Sequence, residues 1–172
     1  LRETPSQIED ILQDTSVIEE AAKEVAKAHS VMYVGRGIGS PICNEGALKL
    51  KEISYLHAEA YPAGELKHGP IALLDENVPV VAVVTESPTR MQTLSNVQEI
   101  LARGSRVVAV ATEGDQEVAD IADYVFYIPP IADWCTAITA SVPLQLFARY
   151  IAIERGCDVD KPRNLAKSVT VE

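Results

Sequence analysis

The chain has 172 residues, of which 47% are hydrophobic and 23% are charged, a mix typical of a globular protein. A chain of this length buries about 70% of its unfolded surface, so it can form a core without disulfides or metals. Its net charge of −10 at pH 7 makes nucleic acids and anionic membrane surfaces unfavourable partners. An anionic ligand would have to be held by local cations and backbone N–H groups.

Two helices are predicted ahead of the first strand, within residues 5–28. The segment 5–14 places apolar side chains at helical spacing, and a second amphipathic helix follows from about Ser16 to Ala28. The next segment, SVMYVG at 30–35, is β-rich and ends in glycine, and a long helical pattern follows it. The later elements alternate, with strands predicted at 78–85, 105–112 and 124–129 and helices at about 89–103, 117–122 and 134–155.

This alternation predicts an α/β protein with a mostly parallel sheet. The strands at 78–85 and 105–112 are apolar throughout, which is typical of strands covered on both faces. We therefore expect a three-layer α/β/α sandwich with about five strands in flavodoxin-like order. In such folds ligands bind at the carboxyl ends of the strands, which directs attention to the loops after residues 35, 85 and 112.

The cysteines bear on the cellular compartment. Cys43, Cys135 and Cys157 form no CxxC motif and no Cys/His cluster, so the sequence favours a reducing environment and no metal site. We find no signal peptide and no run of about 18 apolar residues, which predicts a cytoplasmic protein without a membrane span. The simplest domain organisation is one domain over residues 1–172.

The glycine-rich segment VGRGIGSP, residues 34–41, lies where the first strand gives way to a helix. Glycines allow a tight turn there and a close approach of a ligand to the backbone. The segment misses the dinucleotide-binding fingerprint because Ser40 occupies the place of the third glycine, and no Gly-Lys-Ser/Thr follows. Two interpretations stay open: a structural turn, or a ligand-facing loop in which Arg36 contacts an anion.

The following helix carries a stripe of charged residues. At 100° per residue, Glu45, Lys49 and Glu52 share one narrow face that continues to Leu56. Small and apolar residues lie on the opposite side, suited to packing on a sheet: Cys43, Ala47, Leu50 and Ser54. The stripe is either an exposed face with ion pairs, or a base and a cation for proton abstraction beside a carbonyl.

Three further candidates lie outside this helix. His68 is in ELKHGP, a predicted polar loop from which a histidine can reach solvent and substrate, whereas His29 and His57 have adequate structural roles. The C-terminal segment carries Lys161, Arg163 and Lys167. It is either a flexible end or a lid whose lysine could form a Schiff base with a ketone.

Two long motifs closely resemble one enzyme family. EGALKLKEISYLHAEAYPAGELKHGP at 45–70 and DVDKPRNLAKSVTVE at 158–172 are similar to the sugar-isomerase half of glutamine–fructose-6-phosphate aminotransferases. Within that half, the chain resembles the second of two SIS (sugar isomerase) domains, and the resemblance extends over its whole length. It implies a SIS domain with N-terminal helices at 5–28 and an active-site tail at 157–172, called the C-terminal tail below.

The resemblance also implies catalytic roles. Glu52 corresponds to the carboxylate that moves a proton between C1 and C2 of the open-chain sugar, and Lys49 to the lysine beside it. His68 corresponds to a histidine that opens the sugar ring and reaches the site of a neighbouring subunit. Lys167 corresponds to the lysine that forms an imine with the C2 ketone of fructose 6-phosphate. The expected substrate-binding residues are Glu45, Arg36 and Ala166.

The family reaction joins ammonia from glutamine to fructose 6-phosphate and yields glucosamine 6-phosphate without a metal or organic cofactor. The glutaminase domain and the first SIS domain, with its Ser/Thr-rich phosphate loop, are missing from this sequence. We therefore expect a fragment that is incomplete for the full reaction and that pairs as a homodimer. The alternative is a non-catalytic sugar-phosphate sensor, which has no use for a proton shuttle or an imine-forming lysine.

Overall fold

Parallel strands form the central sheet of the computed structural model, which describes residues 1–165. The strands run in the order β2-β1-β3-β4-β5, which is the flavodoxin-like order that the sequence predicts. Their bounds are β1 Ser30–Gly35, β2 His57–Pro62, β3 Val80–Val84, β4 Val107–Thr112 and β5 Tyr124–Ile128. Below, the amino edge and the carboxyl edge of the sheet are the edges at which these strands begin and end.

The helices lie close to their predicted positions and end a few residues earlier in several cases. They are α1 Thr4–Gln13, α2 Ser16–Val25, α3 Gly39–Ser54, α4 Arg90–Leu101, α5 Gln116–Ala119 and α6 Thr136–Glu154. Short 3₁₀ helices cover Ala63–His68, Pro70–Leu73 and Asp133–Cys135. The predicted polar loop around residue 68 is therefore mostly helical.

Two apolar clusters, one on each face of the sheet, hold the three layers together. Side chains of α1, α2, α3 and α6 pack on one face, where the strands contribute residues such as Tyr33, Val81 and Phe126. The other face is covered by α4, α5 and the 3₁₀ helix Ala63–His68, with strand residues such as Val34 and Ala82. Every residue of β3 is buried, as expected of a strand covered on both faces. The predicted α/β/α sandwich is confirmed.

The edge strand β2 has no counterpart among the predicted strands. Its sequence HAEAYP contains no β-branched residue and alternates small alanines with exposed polar side chains, so propensity does not mark it. The strand forms because it pairs in parallel with β1, with Ser30 opposite His57. His57 therefore begins a strand, and Leu56 is buried in the core rather than exposed on the charged stripe.

The helices α3 and α6 approach each other closely at Gly46. A Cβ atom at this position would lie 2.8 Å from Leu144 Cδ1 and 2.9 Å from Tyr33 Cε1. Glycine is required there because any side chain would push the two helices apart. Residues 133–154, which include α6, are long and apolar enough to cross a membrane, but half of the span is buried in this protein. Its packing against α2 and α3 identifies α6 as a core helix.

Candidate active site

The charged stripe on α3 forms a compact ion cluster. Lys49 Nζ donates a hydrogen bond to Glu52 Oε2 at 2.7 Å and lies 3.8 Å from Glu45 Oε1. The Lys49 side chain is 33% exposed and that of Glu52 is 26% exposed, so both are partly shielded yet accessible from solvent. Helical spacing alone predicts this arrangement, since residues three and four apart are neighbours on a helix.

The two carboxylates fix the charge state of Lys49. The hydrogen bond from Lys49 to Glu52 raises the pKa of the ammonium group, burial opposes this, and the charges of Glu52 and Glu45 raise it further. Lys49 therefore stays protonated at neutral pH and cannot act as a base. Within this cluster, Lys49 is suited to electrostatic stabilisation and the carboxylates to proton transfer.

The opposite side of α3 holds the stripe in place. Cys43, Ala47, Leu50 and Ser54 are all buried against the sheet, as the helical pattern predicts. Burial raises the pKa of the Cys43 thiol to about 12, so this cysteine is a packing residue rather than a nucleophile.

The carboxyl-terminal end of α3 is closed by Tyr55 in a left-handed conformation, with φ 59° and ψ 16°. Glycine is the usual residue at this position, and a side chain with this backbone costs on the order of 1 kcal/mol. The tyrosine makes two contacts with the C-terminal tail. Its hydroxyl accepts a hydrogen bond from the backbone N–H of Arg163 at 2.8 Å, and the Arg163 guanidinium carbon lies 4.1 Å from the ring centroid.

The beginning of the tail is held at the same helix end. Arg155 donates to the carbonyl oxygens of Ser54 at 3.1 Å and Ala26 at 2.8 Å, and Cys157 Sγ lies 3.6 Å from the Ser54 carbonyl oxygen. An open cavity of about 510 Å³ lies between these groups. Its lining consists of Ala26, Ser54, Tyr55, Glu154, Arg155, Cys157 and Arg163.

Arg36, the predicted anion contact, lies just beyond the carboxyl end of β1. Its Nε atom donates to Asn96 Oδ1 of α4 at 3.0 Å, and its guanidinium packs over Gly64, where a Cβ atom would lie 2.9 Å from Nη2. Gly64 thus provides the space that the guanidinium needs. Arg36 connects the sheet, α4 and the 3₁₀ helix Ala63–His68, which sequence periodicity does not indicate.

His68 ends that 3₁₀ helix and is exposed. The neighbouring Lys67 forms an ion pair with Glu99 of α4 at 2.8 Å, and Leu66 is buried beneath the segment. Within residues 1–165, no hydrogen bond or ion pair joins His68 to the cluster of Glu45, Lys49 and Glu52.

The structure separates the predicted residues into two places. The ion cluster lies on α3, which covers one face of the sheet, whereas the 3₁₀ helix with His68 packs on the opposite face. Because α3 begins after β1 and runs back toward the start of β2, Glu52 also lies toward the amino edge. It is not at the carboxyl-edge loops in which the fold class places ligands. Ala166 and Lys167 lie outside the described residues.

A second cation cluster occurs at the carboxyl edge, where α4 begins and β4 ends. Arg90 donates to both carboxylate oxygens of Asp115, at 2.7 Å and 2.5 Å, and to Glu117 at 2.8 Å. Sequence patterns do not indicate this cluster, because Asp115 and Glu117 are 25 and 27 residues from Arg90. In the described part of the chain, no group of three His, Cys, Asp or Glu side chains is arranged to hold a metal ion.

Comparison with known proteins gives consistent matches. The pattern of the SIS domain family matches residues 24–155. The chain is 51% identical over all 172 residues to the glutamine–fructose-6-phosphate aminotransferase [isomerizing] of Thermus thermophilus, and 51% identical to that of Methanosarcina acetivorans. It spans 28% of the length of each of these relatives, corresponding to their C-terminal part.

Solved structures agree with this match. The C-terminal domain of glucosamine-fructose-6-phosphate aminotransferase from Francisella tularensis superposes with a TM-score of 0.85 and 38% identity, over 93% of this chain and 45% of that one. Tagatose-6-phosphate ketose/aldose isomerase from Escherichia coli gives 0.75 and 26%, over 90% and 44%. The sugar isomerase domain of the RpiR transcription factor from Sphaerobacter thermophilus gives 0.78 over 90% and 88%, and at 17% identity it shows the fold alone.

Proposed function

The chain belongs to the SIS domain family, and we propose that it is the C-terminal sugar-isomerase domain of a glutamine–fructose-6-phosphate aminotransferase. Its activity would be the conversion of fructose 6-phosphate into glucosamine 6-phosphate together with the rest of that enzyme. Over its whole length the chain is about half identical to relatives named for this activity. We place the protein in the cytoplasm, where its sugar-phosphate substrate would be found.

The observation that carries the proposal is the ion cluster on α3. Isomerisation between C2 and C1 requires a base that removes a proton beside a carbonyl and returns it to the neighbouring carbon. The Glu52 carboxylate can accept this proton, and the protonated Lys49 at 2.7 Å would stabilise a developing enediolate. Glu45, 3.8 Å from the ammonium group, has a supporting role in placing Lys49 and in binding the sugar.

The position of His68 favours a homodimer. The sheet separates His68 from Glu52 within one chain, so a site that uses both side chains needs a second copy. In this arrangement His68 of one subunit opens the sugar ring in the site of its neighbour. Its exposure at the end of a 3₁₀ helix fixed by Lys67 and Glu99 leaves it available to a partner.

The tail lysine would supply the amine. Arg163 is anchored at Tyr55, three residues after Glu52, and Lys167 follows Arg163 by four residues. Four residues of extended chain span at most about 14 Å, so a lysine at this position is within reach of the α3 cluster. We assign Lys167 to imine formation with the C2 ketone and Ala166 to the adjoining substrate contact.

Arg36 keeps its proposed role as an anion contact, through the guanidinium nitrogens that do not bind Asn96. The phosphate loop itself would come from the first SIS domain, and ammonia from the glutaminase domain. These two domains are the partners that we propose for this chain. We expect no metal or organic cofactor in the reaction. A purely regulatory sensor is not favoured, because the relatives that match the whole chain are named as aminotransferases.

Calorimetric titration with fructose 6-phosphate tests the proposal, on the 172-residue chain and on the complete enzyme chain that carries it. We expect binding to the complete chain to weaken at least tenfold in Lys167→Ala, a loss of about 1.4 kcal/mol. Glucose 6-phosphate formation by the complete chain is the activity readout. A complete chain that binds the sugar but does not isomerise it would favour the sensor.

A further inference from the structure

The contact between Tyr55 and Arg163 joins the catalytic helix directly to the C-terminal tail. Tyr55 follows the last residue of α3 and is three residues from Glu52. Both parts of its side chain are used: the hydroxyl accepts the Arg163 backbone N–H at 2.8 Å, and the ring faces the guanidinium, 4.1 Å from its centroid. A cation this close to the centre of an aromatic ring is attracted by the ring's negative face.

The backbone at Tyr55 shows that this side chain is held against its conformational preference. With φ 59°, the residue has the left-handed conformation that normally selects glycine at a helix end. Glycine would adopt this conformation without strain. The two contacts of the tyrosine side chain with the tail compensate for this strain.

Further hydrogen bonds hold the segment between residues 155 and 163. Arg155 fixes its beginning to the carbonyl oxygens of Ser54 and Ala26. Asp158 then forms a turn by accepting hydrogen bonds from the backbone N–H groups of Asp160 and Lys161, at 3.0 Å and 3.1 Å. The segment is thus fixed at both ends, by Arg155 at the start and by Tyr55 at Arg163.

We infer that Tyr55 is a positioning residue: it holds Arg163 at the end of the catalytic helix and so limits how far the imine-forming Lys167, four residues later in the chain, can lie from that helix end. This inference rests on the proposed function of Lys167. Tyr55 has no chemical step of its own. Because a tethered amine reacts at a rate set by its orientation and local concentration, loss of the tether slows imine formation without altering the amine.

Two variants separate the contacts of Tyr55 from its effect on folding. Tyr55→Gly removes both contacts and relieves the left-handed strain, so the two effects offset and it should unfold at about the same urea concentration as the wild type. Tyr55→Phe keeps the ring and removes only the hydroxyl. Tyr150→Phe is the matched control, because it removes a tyrosine hydroxyl that bonds Thr15 at 2.8 Å and has Arg149 over its ring, away from the tail.

Hydrogen exchange tests the tether in the complete enzyme chain without substrate. We expect the Arg163 amide to exchange about fivefold faster in Tyr55→Phe and faster still in Tyr55→Gly, as expected for loss of a hydrogen bond. Tyr150→Phe should leave it unchanged. Equal Arg163 exchange in all four proteins would show that no tether exists and would overturn the inference.

Borohydride trapping tests the effect on chemistry at saturating fructose 6-phosphate, where differences in sugar affinity have no influence. The Lys167 amine adds to the C2 carbonyl and loses water, and borohydride delivers hydride to that carbon to leave a stable secondary amine. We expect the reduced adduct on Lys167, measured by peptide mass, to form at least about tenfold more slowly in Tyr55→Gly. Tyr55→Phe should fall between it and the wild type.

The outcomes are distinguishable. A wild-type enzyme that forms no adduct would show that the proposed role of Lys167 is wrong, and this inference would fall with it. Normal wild-type trapping with an unchanged rate in Tyr55→Gly would overturn the inference and leave the proposed function intact. Slower trapping in a variant that unfolds at about the same urea concentration would support it, because a merely structural role cannot slow the imine step while the fold is unharmed.

Discussion

Lys49 and Arg90 each lie between two carboxylates, and their surroundings differ. Arg90 binds both oxygens of Asp115, and their side chains are only 13% and 7% exposed. Lys49 makes one short hydrogen bond to Glu52 and a longer contact to Glu45, in a cluster that is about one-third exposed. The Arg90–Asp115 pair is thus largely buried, although Glu117 beside it is exposed, and the Lys49 cluster lies partly exposed along a helix face.

The difference suggests how an ion cluster that stabilises the fold is distinguished from one that takes part in catalysis. Asp115 also accepts the backbone N–H of Val118, so the cluster joins the start of α4 to the start of α5, beside an open cavity of about 360 Å³. Among residues 1–165, the Glu52 carboxylate accepts a side-chain hydrogen bond through one oxygen, from Lys49. A substrate can compete for the remaining lone pairs. We therefore expect substitution in the Arg90 cluster to affect stability and substitution in the Lys49 cluster to affect turnover.

The largest expected effect is that of Glu52→Gln on isomerisation. Glutamine preserves size and packing but cannot accept a proton, so the rate of the complete enzyme should fall by at least about 100-fold. The free energy of unfolding should change by less than about 0.5 kcal/mol, as for other partly exposed ion pairs. Glucose 6-phosphate formation and urea unfolding measure the two quantities. Glu45→Gln is the control, with a smaller loss of rate.

Arg90→Met should lower the stability of the protein and leave the rate of isomerisation unchanged. The change leaves the largely buried Asp115 carboxylate without its cation, so the free energy of unfolding should fall by about 3 kcal/mol. Isomerisation per folded molecule should be unchanged. Urea unfolding gives the first value, and Arg106→Met is the matched control because its pair with Glu24 is exposed. Loss of turnover in fully folded Arg90→Met would mean that this cluster also takes part in catalysis.

Acid should reduce the contribution of the Arg90 cluster to the free energy of unfolding. Burial works to raise the pKa of Asp115, but hydrogen bonds from Arg90 and from backbone N–H groups outweigh it, so the pKa lies below its usual value. A lowered pKa stabilises the folded state above the unfolded value near 3.9, and the contribution is lost as pH falls through the folded value. The stability gap between wild type and Arg90→Met should therefore be constant at neutral pH and narrow below about pH 4. A gap that widens in acid would contradict this assignment.

The smallest effect is expected for Lys23→Ala. The Lys23–Glu19 pair has the same 2.7 Å distance as Lys49–Glu52, yet both side chains are about half exposed. Solvent screens such a pair, so the urea midpoint should not change measurably and turnover should be normal. That result would show that the distance between the charged atoms does not distinguish the Lys23 and Lys49 pairs. Their difference would then lie in their solvent exposure.

Much of the fold could be predicted from local patterns. The strands β1, β3, β4 and β5 carry continuous apolar runs, and the helical face of Cys43, Ala47 and Leu50 is buried as its spacing requires. The β2 strand could not be predicted, because its pairing with β1 depends on two segments that begin 27 residues apart. Its own sequence favours no strand.

The contacts of the candidate site also divide into those that sequence periodicity predicts and those that it does not. The Lys49–Glu52 contact follows from i,i+3 spacing on one helix, so sequence periodicity was sufficient. The Tyr55–Arg163 and Arg36–Asn96 contacts join residues 108 and 60 positions apart, and no periodic signal connects them. The roles of Ala166 and Lys167 remain predictions from resemblance.

The sequence by itself determined the order of helices and strands and the charged stripe on α3, because both depend on interactions within a few residues. Only the tertiary structure decided that the helix of Glu52 and the 3₁₀ helix of His68 lie on opposite faces of the sheet, that Arg90 is largely buried, and that Arg163 contacts Tyr55. These features depend on how strands pair and layers pack. Such contacts form between segments that are distant in the chain, and their energies are set by burial and geometry that local sequence does not encode.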